Sequence, residues 1–136
     1  MEKQIVSKQR VADHGEVLTG RREVTAMLDL VKQETERIES RFLEPARGTG
    51  NFLAEVLERK LIVVKNRYGK IQLEYERNAV LAVSSIYGIN ILEDNATKCR
   101  EGLFKIFNRR DLSLYLKTSK ENCRVAIRFL RHHFQY

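Results

Sequence analysis

Cysteine is scarce in this chain: Cys99 and Cys123 stand alone and far apart. No Cys-X-X-Cys spacing exists, so neither a zinc site nor a disulfide framework is expected. Two reduced thiols in a cytoplasmic protein are the expectation instead. No apolar run approaches the length needed to cross a bilayer, so no membrane partner is expected. The N-terminus, Met1-Glu2-Lys3-Gln4-Ile5-Val6-Ser7-Lys8, lacks the apolar core of a signal peptide. Proline occurs once, at Pro45, which excludes any motif built on adjacent prolines.

What is present fits one domain, or part of one, in 136 residues. A hydrophobic share of 43% is ordinary for a globular chain. The net charge of +7 suits a polyanionic partner such as DNA. The basic residues are scattered among 18 acids, so a solvated mixed-charge surface explains the balance equally well.

The most informative stretch is 41–50. An apolar pair, Phe42-Leu43, is followed by the acid Glu44 and by a loop holding Gly48 and Gly50. A helical pattern starts at once with Asn51-Phe52-Leu53. Strand, glycine turn and helix form the layout of a nucleotide-binding half-fold. Glycines there permit backbone angles that a Cβ forbids and let a ligand approach the main chain. An acid at the strand end can accept hydrogen bonds from a ligand's amine or hydroxyls.

The rest of the chain reads as alternating elements. Residues 11–20 read as an irregular loop, and His14 within it as an exposed, unremarkable side chain. Val24, Met27, Leu28, Val31, Thr35 and Ile38 keep helical spacing, predicting one amphipathic helix over 22–40, with Thr19 able to cap its start. A helix is expected over 51–60. Residues 61–65 are β-branched and fit a short strand or a continued helix equally. Another helix is expected over 71–83, then a buried strand over 84–92. Asn95 is placed to cap a helix over 96–107. Residues 108–111 read as a helix break, 112–117 as ambiguous, and 119–134 as a last helix. Strand, helix, strand, helix implies a parallel sheet whose ligand sits beyond the carboxyl ends of the strands. Both strand ends, near Glu44 and near 90–93, would line one crevice. Arg124, Arg128 and Arg131 form the densest basic cluster, with His132 and His133 beside them. It fits either phosphate contacts or a solvated face. The two histidines are adjacent and do not share a helix face, so they are not expected to pair on a metal.

Glu44-Pro45-Ala46-Arg47-Gly48-Thr49-Gly50-Asn51-Phe52-Leu53 resembles the first motif of S-adenosylmethionine-dependent adenine-N6 DNA methyltransferases of restriction-modification systems. The usual form is acid-Pro-Ala-X-Gly-Thr-Gly, often continuing Asn-Phe-Leu. The resemblance implies an α/β, Rossmann-like fold, a parallel sheet with flanking helices, truncated before the catalytic half. It implies S-adenosylmethionine as cofactor, held by Glu44, Pro45, Ala46, Gly48, Thr49 and Gly50, and DNA as partner. Residues 1–21 would form a lid and 22–136 a partial cofactor domain. Gly15-Glu16-Val17-Leu18-Thr19-Gly20 is similar to the family's lid, Gly-Glu-Val-Phe-Thr-Pro, which places Thr19 over the cofactor. Gly20 loosens what Pro would stiffen.

Tyr87-Gly88-Ile89-Asn90-Ile91 is similar to the family's second strand, where an acid grips the cofactor's ribose. Asn90 stands in the acid's place. An amide lacks the charge and the paired acceptors, a change of about 1 kcal/mol or roughly fivefold in affinity. Glu93 could substitute, or could simply favour the dipole of the following helix. Arg47 replaces a small or sulfur-bearing residue, and either blocks the pocket or swings out to solvent. The family turns the target base out of the duplex and holds it with Asn/Asp-Pro-Pro-Tyr/Phe, which this chain does not contain. No catalytic residue is therefore assigned. The implied reading is a methyltransferase part inactive alone. The alternatives are a binding module that pairs with a second chain carrying the missing motif, or a decayed fragment.

Overall fold

The computed structural model describes residues 20–44, 51–89, 93–115 and 120–135. These residues form a mostly helical small domain with a small parallel sheet. The elements are α1 (Arg21–Asp29), α2 (Lys32–Thr35), β1 (Phe42–Glu44), α3 (Asn51–Tyr68), α4 (Gln72–Ser84), β2 (Ile86–Ile89), α5 (Glu93–Leu114), α6 (Lys120–His133) and β3 (Phe134–Gln135). The strand order is β1-β2-β3, all parallel. Phe42, Leu43 and Glu44 face Ile86, Tyr87 and Gly88 in register, and Gly88 and Ile89 face Phe134 and Gln135. Parallel neighbours need a crossover, and here each crossover is a pair of helices. That is why helix dominates where a more evenly mixed α/β sheet was expected.

The single helix expected over 22–40 is broken. Val31 sits at φ −122, ψ 36 and ends the run. The amides of Leu30 and Val31 reach back only three residues, to Met27 and Leu28. This tight turn leaves Leu30 86% exposed while Val24, Leu28, Thr35 and Ile38 stay buried. Both halves of the stripe reach the core because the axis bends between them.

In α3 the buried positions are Leu53, Val56, Leu57, Lys60, Leu61 and Val64, an unbroken three-and-four spacing. That spacing decides the ambiguous stretch at 61–65 in favour of helix. The helix ends at Gly69, whose amide bonds the Lys65 carbonyl at 2.9 Å. A Cβ at Gly69 would lie 2.4 Å from that oxygen, so only glycine closes the turn. The expected helix over 71–83 is present as α4, shifted by one residue.

The break expected at 108–111 does not occur. Helix α5 starts at Glu93, before Asn95, so Asn95 lies in its first turn and is not its cap. It continues to Leu114, burying Cys99, Leu103, Phe107 and Asp111 at steps of four. Arg109 and Arg110 are no hindrance, because both reach Glu58 on α3. Helix α6 buries Ala126 and Leu130.

Lys60 is the least expected core residue, with no exposed surface. Its ammonium donates to the carbonyls of Ile38, at 3.1 Å, and Ser40, and to Ser85 Oγ, at 2.6 Å. It also lies 5.2 Å from the Phe42 ring centroid. Ser40 and Ser85 come just before β1 and β2, so one cation ties the starts of both strands to α3.

Candidate functional site

Parallel strands end on the same side of the sheet, and β1 ends at Glu44. Its Cα partner is Gly88, one residue before the end of β2. The strands therefore end side by side, at Glu44 and Ile89, while residues 90–92 of the expected strand end lie outside the described residues. Phe42 and Glu44 are half-buried while Leu43 between them is 60% exposed, following the alternation of a strand. The carboxylate of Glu44 thus turns to the side where α3 packs.

There the backbone N–H of Leu53 lies near it and favours its ionised form. Leu53 lies in the first turn of α3, where helix amides lack intrahelical partners. The second oxygen, Oε2, is buried and has no partner among the described residues. Burial pushes the Glu44 carboxyl up to about 7, with the Leu53 amide opposing that rise. Cys99 on α5 faces the same place. Its thiol is pushed up to about 12, first by burial and then by the charge of Glu44. Cys99 therefore stays protonated and serves as an apolar wall, not a nucleophile.

This arrangement suits a ligand that brings hydrogen-bond donors or positive charge to Glu44. A cation placed there would favour the ionised carboxylate and draw its proton affinity down. A buried acceptor without a partner is unfavourable, and a ligand donor would relieve it.

Among the other positions expected to bind cofactor, Glu93 is exposed in the first turn of α5. With Asp94 it places negative charge where the helix dipole favours it. Thr19, Pro45, Ala46, Gly48, Thr49, Gly50 and Asn90 lie outside the described residues, as does Arg47. The amide of Leu53 and the Cys99 wall were not anticipated. The resemblance had ended at Leu53, and its side chain is core.

A second polar cluster lies away from the strand ends. Glu76 on α4 and Asp111 on α5 are both buried. The Asp111 carboxyl is raised, first by burial and then by Glu76 beside it. Asn122 on α6 donates to Glu76 at 3.3 Å. Tyr115 donates to the Gly69 carbonyl at 2.7 Å and packs on Tyr75 with ring centroids 5.7 Å apart. Like charges this close favour a shared proton between the two carboxyls.

Cys99 and Cys123 are both free thiols. Among the described residues no group of three or more His, Cys, Asp or Glu could hold a metal ion, and no helix is long and apolar enough to cross a membrane. The chain matches no protein-family model, no curated protein and no solved structure.

Proposed function

We propose that this chain is the cofactor-binding part of an S-adenosylmethionine-dependent, adenine-specific DNA methyltransferase of Rossmann-like fold. The observation that carries the reading is Glu44. A half-buried carboxylate ends the first parallel strand, lies near an amide of the first turn of the next helix, and keeps one oxygen without a partner among the described residues. The decapeptide that begins at Glu44 supports the choice of cofactor.

In this reading Glu44 Oε2 accepts from the cofactor, and the Leu53 amide holds the carboxylate in orientation. Cys99 and the core beside it exclude water from that contact. Thr19, the glycine loop at 48–50, and Asn90 or Glu93 complete the cradle. The cofactor, when bound, supplies an electrophilic methyl group for adenine N6 in DNA. This chain has no group for taking the proton from the adenine amine, because Asn-Pro-Pro-Tyr is absent from it. Methyl transfer to DNA by this polypeptide alone is therefore not expected. A second chain carrying that motif would complete the reaction. The exposed apolar side chains of the sheet, Leu43 at 60% and Ile89 at 56%, favour such pairing over a self-sufficient domain.

Calorimetric titration with S-adenosylmethionine, and with its demethylated product, tests the cofactor. Heat of binding and a raised Tm are expected, since a ligand specific to the native state stabilises it. Glu44→Gln should weaken binding by about tenfold, the worth of a charge-assisted bond. No heat and no shift in Tm at millimolar cofactor would refute the reading.

A further inference from the structure

We propose that the outer face of α6 binds the phosphate backbone of duplex DNA. Arg124, Arg128 and Arg131 are all exposed on this helix, at steps of four and three residues. That spacing places them along one face. They extend over about 10 Å of helix axis. Arg124, Ile127, Arg128, Arg131 and His132 line an open groove of about 510 Å³. A second groove of about 300 Å³ adjoins it between α5 and α6, and Arg131 and Ile127 line both. Arg100 on α5 adds a cation there, and Glu101 is the carboxylate on that wall.

Clustering sets this face apart: Arg22, Arg41, Arg67 and Arg77 are also exposed without a carboxylate within ion-pair distance among the described residues, but they are scattered over different elements. Arg37 pairs with Glu34 and Glu39, Arg59 with Asp29 and Glu55, and Arg109 and Arg110 with Glu58. The three arginines of α6 have no carboxylate within ion-pair distance among the described residues. Only Arg131 lies in the last turn, where the helix dipole favours a cation. Arg124 and Arg128 have no such explanation. A stripe of guanidinium groups free to fork onto oxygen anions fits phosphates better than it fits the remaining surface of this protein. A duplex offers one negative charge per about 1.7 Å of axis, enough to meet all three at once.

The contact is to backbone, so it carries no base sequence information. None of the three arginines is among the groups that act on the Glu44 carboxyl. DNA binding by α6 and cofactor binding at Glu44 can each fail without the other.

The test is fluorescence anisotropy of the full chain with a labelled 20-base-pair duplex, from about 50 to 200 mM salt. Three phosphate contacts predict a slope of log K against log salt of about −3. The triple variant Arg124→Gln, Arg128→Gln, Arg131→Gln should bind at least about tenfold more weakly, with a slope about 3 units shallower. A charge-matched control, Lys32→Gln, Lys65→Gln, Lys70→Gln, removes three exposed cations elsewhere and should stay within about threefold of the parent. A duplex of scrambled sequence should bind equally. Equal losses in the two triple variants would mean that only net charge matters, and would overturn the assignment. Equal competition by poly-glutamate, charge for charge, would assign the face to an acidic protein and overturn it too. Thermal melts of each variant identify any loss caused by unfolding. Calorimetry with S-adenosylmethionine on the same triple variant should match the parent.

Discussion

Replacing Lys60 by methionine should destabilise the protein by about 2–4 kcal/mol. Two effects oppose each other. Burial lowers the Lys60 ammonium to about 8 from 10.5, so removing it relieves a penalty of about 3 kcal/mol. Against that stand three hydrogen bonds from a cation, to Ile38 O, Ser40 O and Ser85 Oγ. Bonds of that kind contribute about 1.5–3 kcal/mol each, so three outweigh the relief even near the lower bound. Two of the acceptors are backbone carbonyls, which no side-chain substitution can remove. Methionine keeps most of the volume, so a cavity adds little. Urea denaturation followed by circular dichroism measures the difference as a shift in midpoint at constant m. The accompanying fall in Tm is about 10 °C. A variant within about 0.5 kcal/mol of the parent would refute the reasoning, because it would mean that the strand starts do not depend on the buried cation.

Glu44 gives a pH signature. Its folded value, about 7, lies above the ordinary 4.5, so the folded state holds a proton that the unfolded state has lost. Stability should therefore fall as pH rises from about 4.5 to about 7, by about 3 kcal/mol, and Glu44→Gln should flatten that slope in pH-dependent urea melts. Asp111 is raised in the same direction by burial and by Glu76, with Tyr75, Tyr115, Arg110 and Cys123 around the pair. Asp111→Asn should stabilise the protein at pH 8 by about 1–2 kcal/mol and do less at pH 4, and equal effects at both would count against a buried like-charge pair. Glu58 holds two arginines of different exposure, Arg110 at 27% and Arg109 at 69%. Double-mutant cycles with Glu58→Gln should give about 1 kcal/mol for Arg110→Ala and no more than about 0.5 for Arg109→Ala.

The helices were legible wherever apolar residues recur at three- and four-residue steps. The stretch from Leu53 to Leu57 and the Ala126–Leu130 pair are examples. Errors arose where a charged residue sits on the buried stripe. Lys60 follows Leu53, Val56 and Leu57 in helical register, and Asp111 follows Leu103 and Phe107. The expected helix ended at the first and a break was read at the second, while the stripe carried through the charge had the better information. The bend at Val31 was not legible, because the apolar spacing continues across it and only the need to reach β1 turns the chain. At the candidate site, the sequence placed an acid at a strand end. Its burial, and its nearness to the Leu53 amide, depend on how α3 packs and cannot be read from the local residues.

That packing links the core lysine to the site. Helix α3 begins near the end of β1, where the Leu53 amide meets Glu44, and returns toward its start, where Lys60 meets Ser40. Seven helical residues rise about 10 Å. Four extended residues, from Ser40 to Glu44, cover about 13 Å. The two segments therefore run side by side in opposite directions, pinned at one end by a cation and at the other by a carboxylate. Loosening the first pin should let the second drift, although Lys60 touches no ligand. If the proposed cofactor reading holds, Lys60→Met should thus weaken S-adenosylmethionine binding, by about three- to tenfold at temperatures where the variant remains folded. Unchanged affinity in a folded but destabilised variant would show that the Leu53–Glu44 contact is held by the apolar core alone.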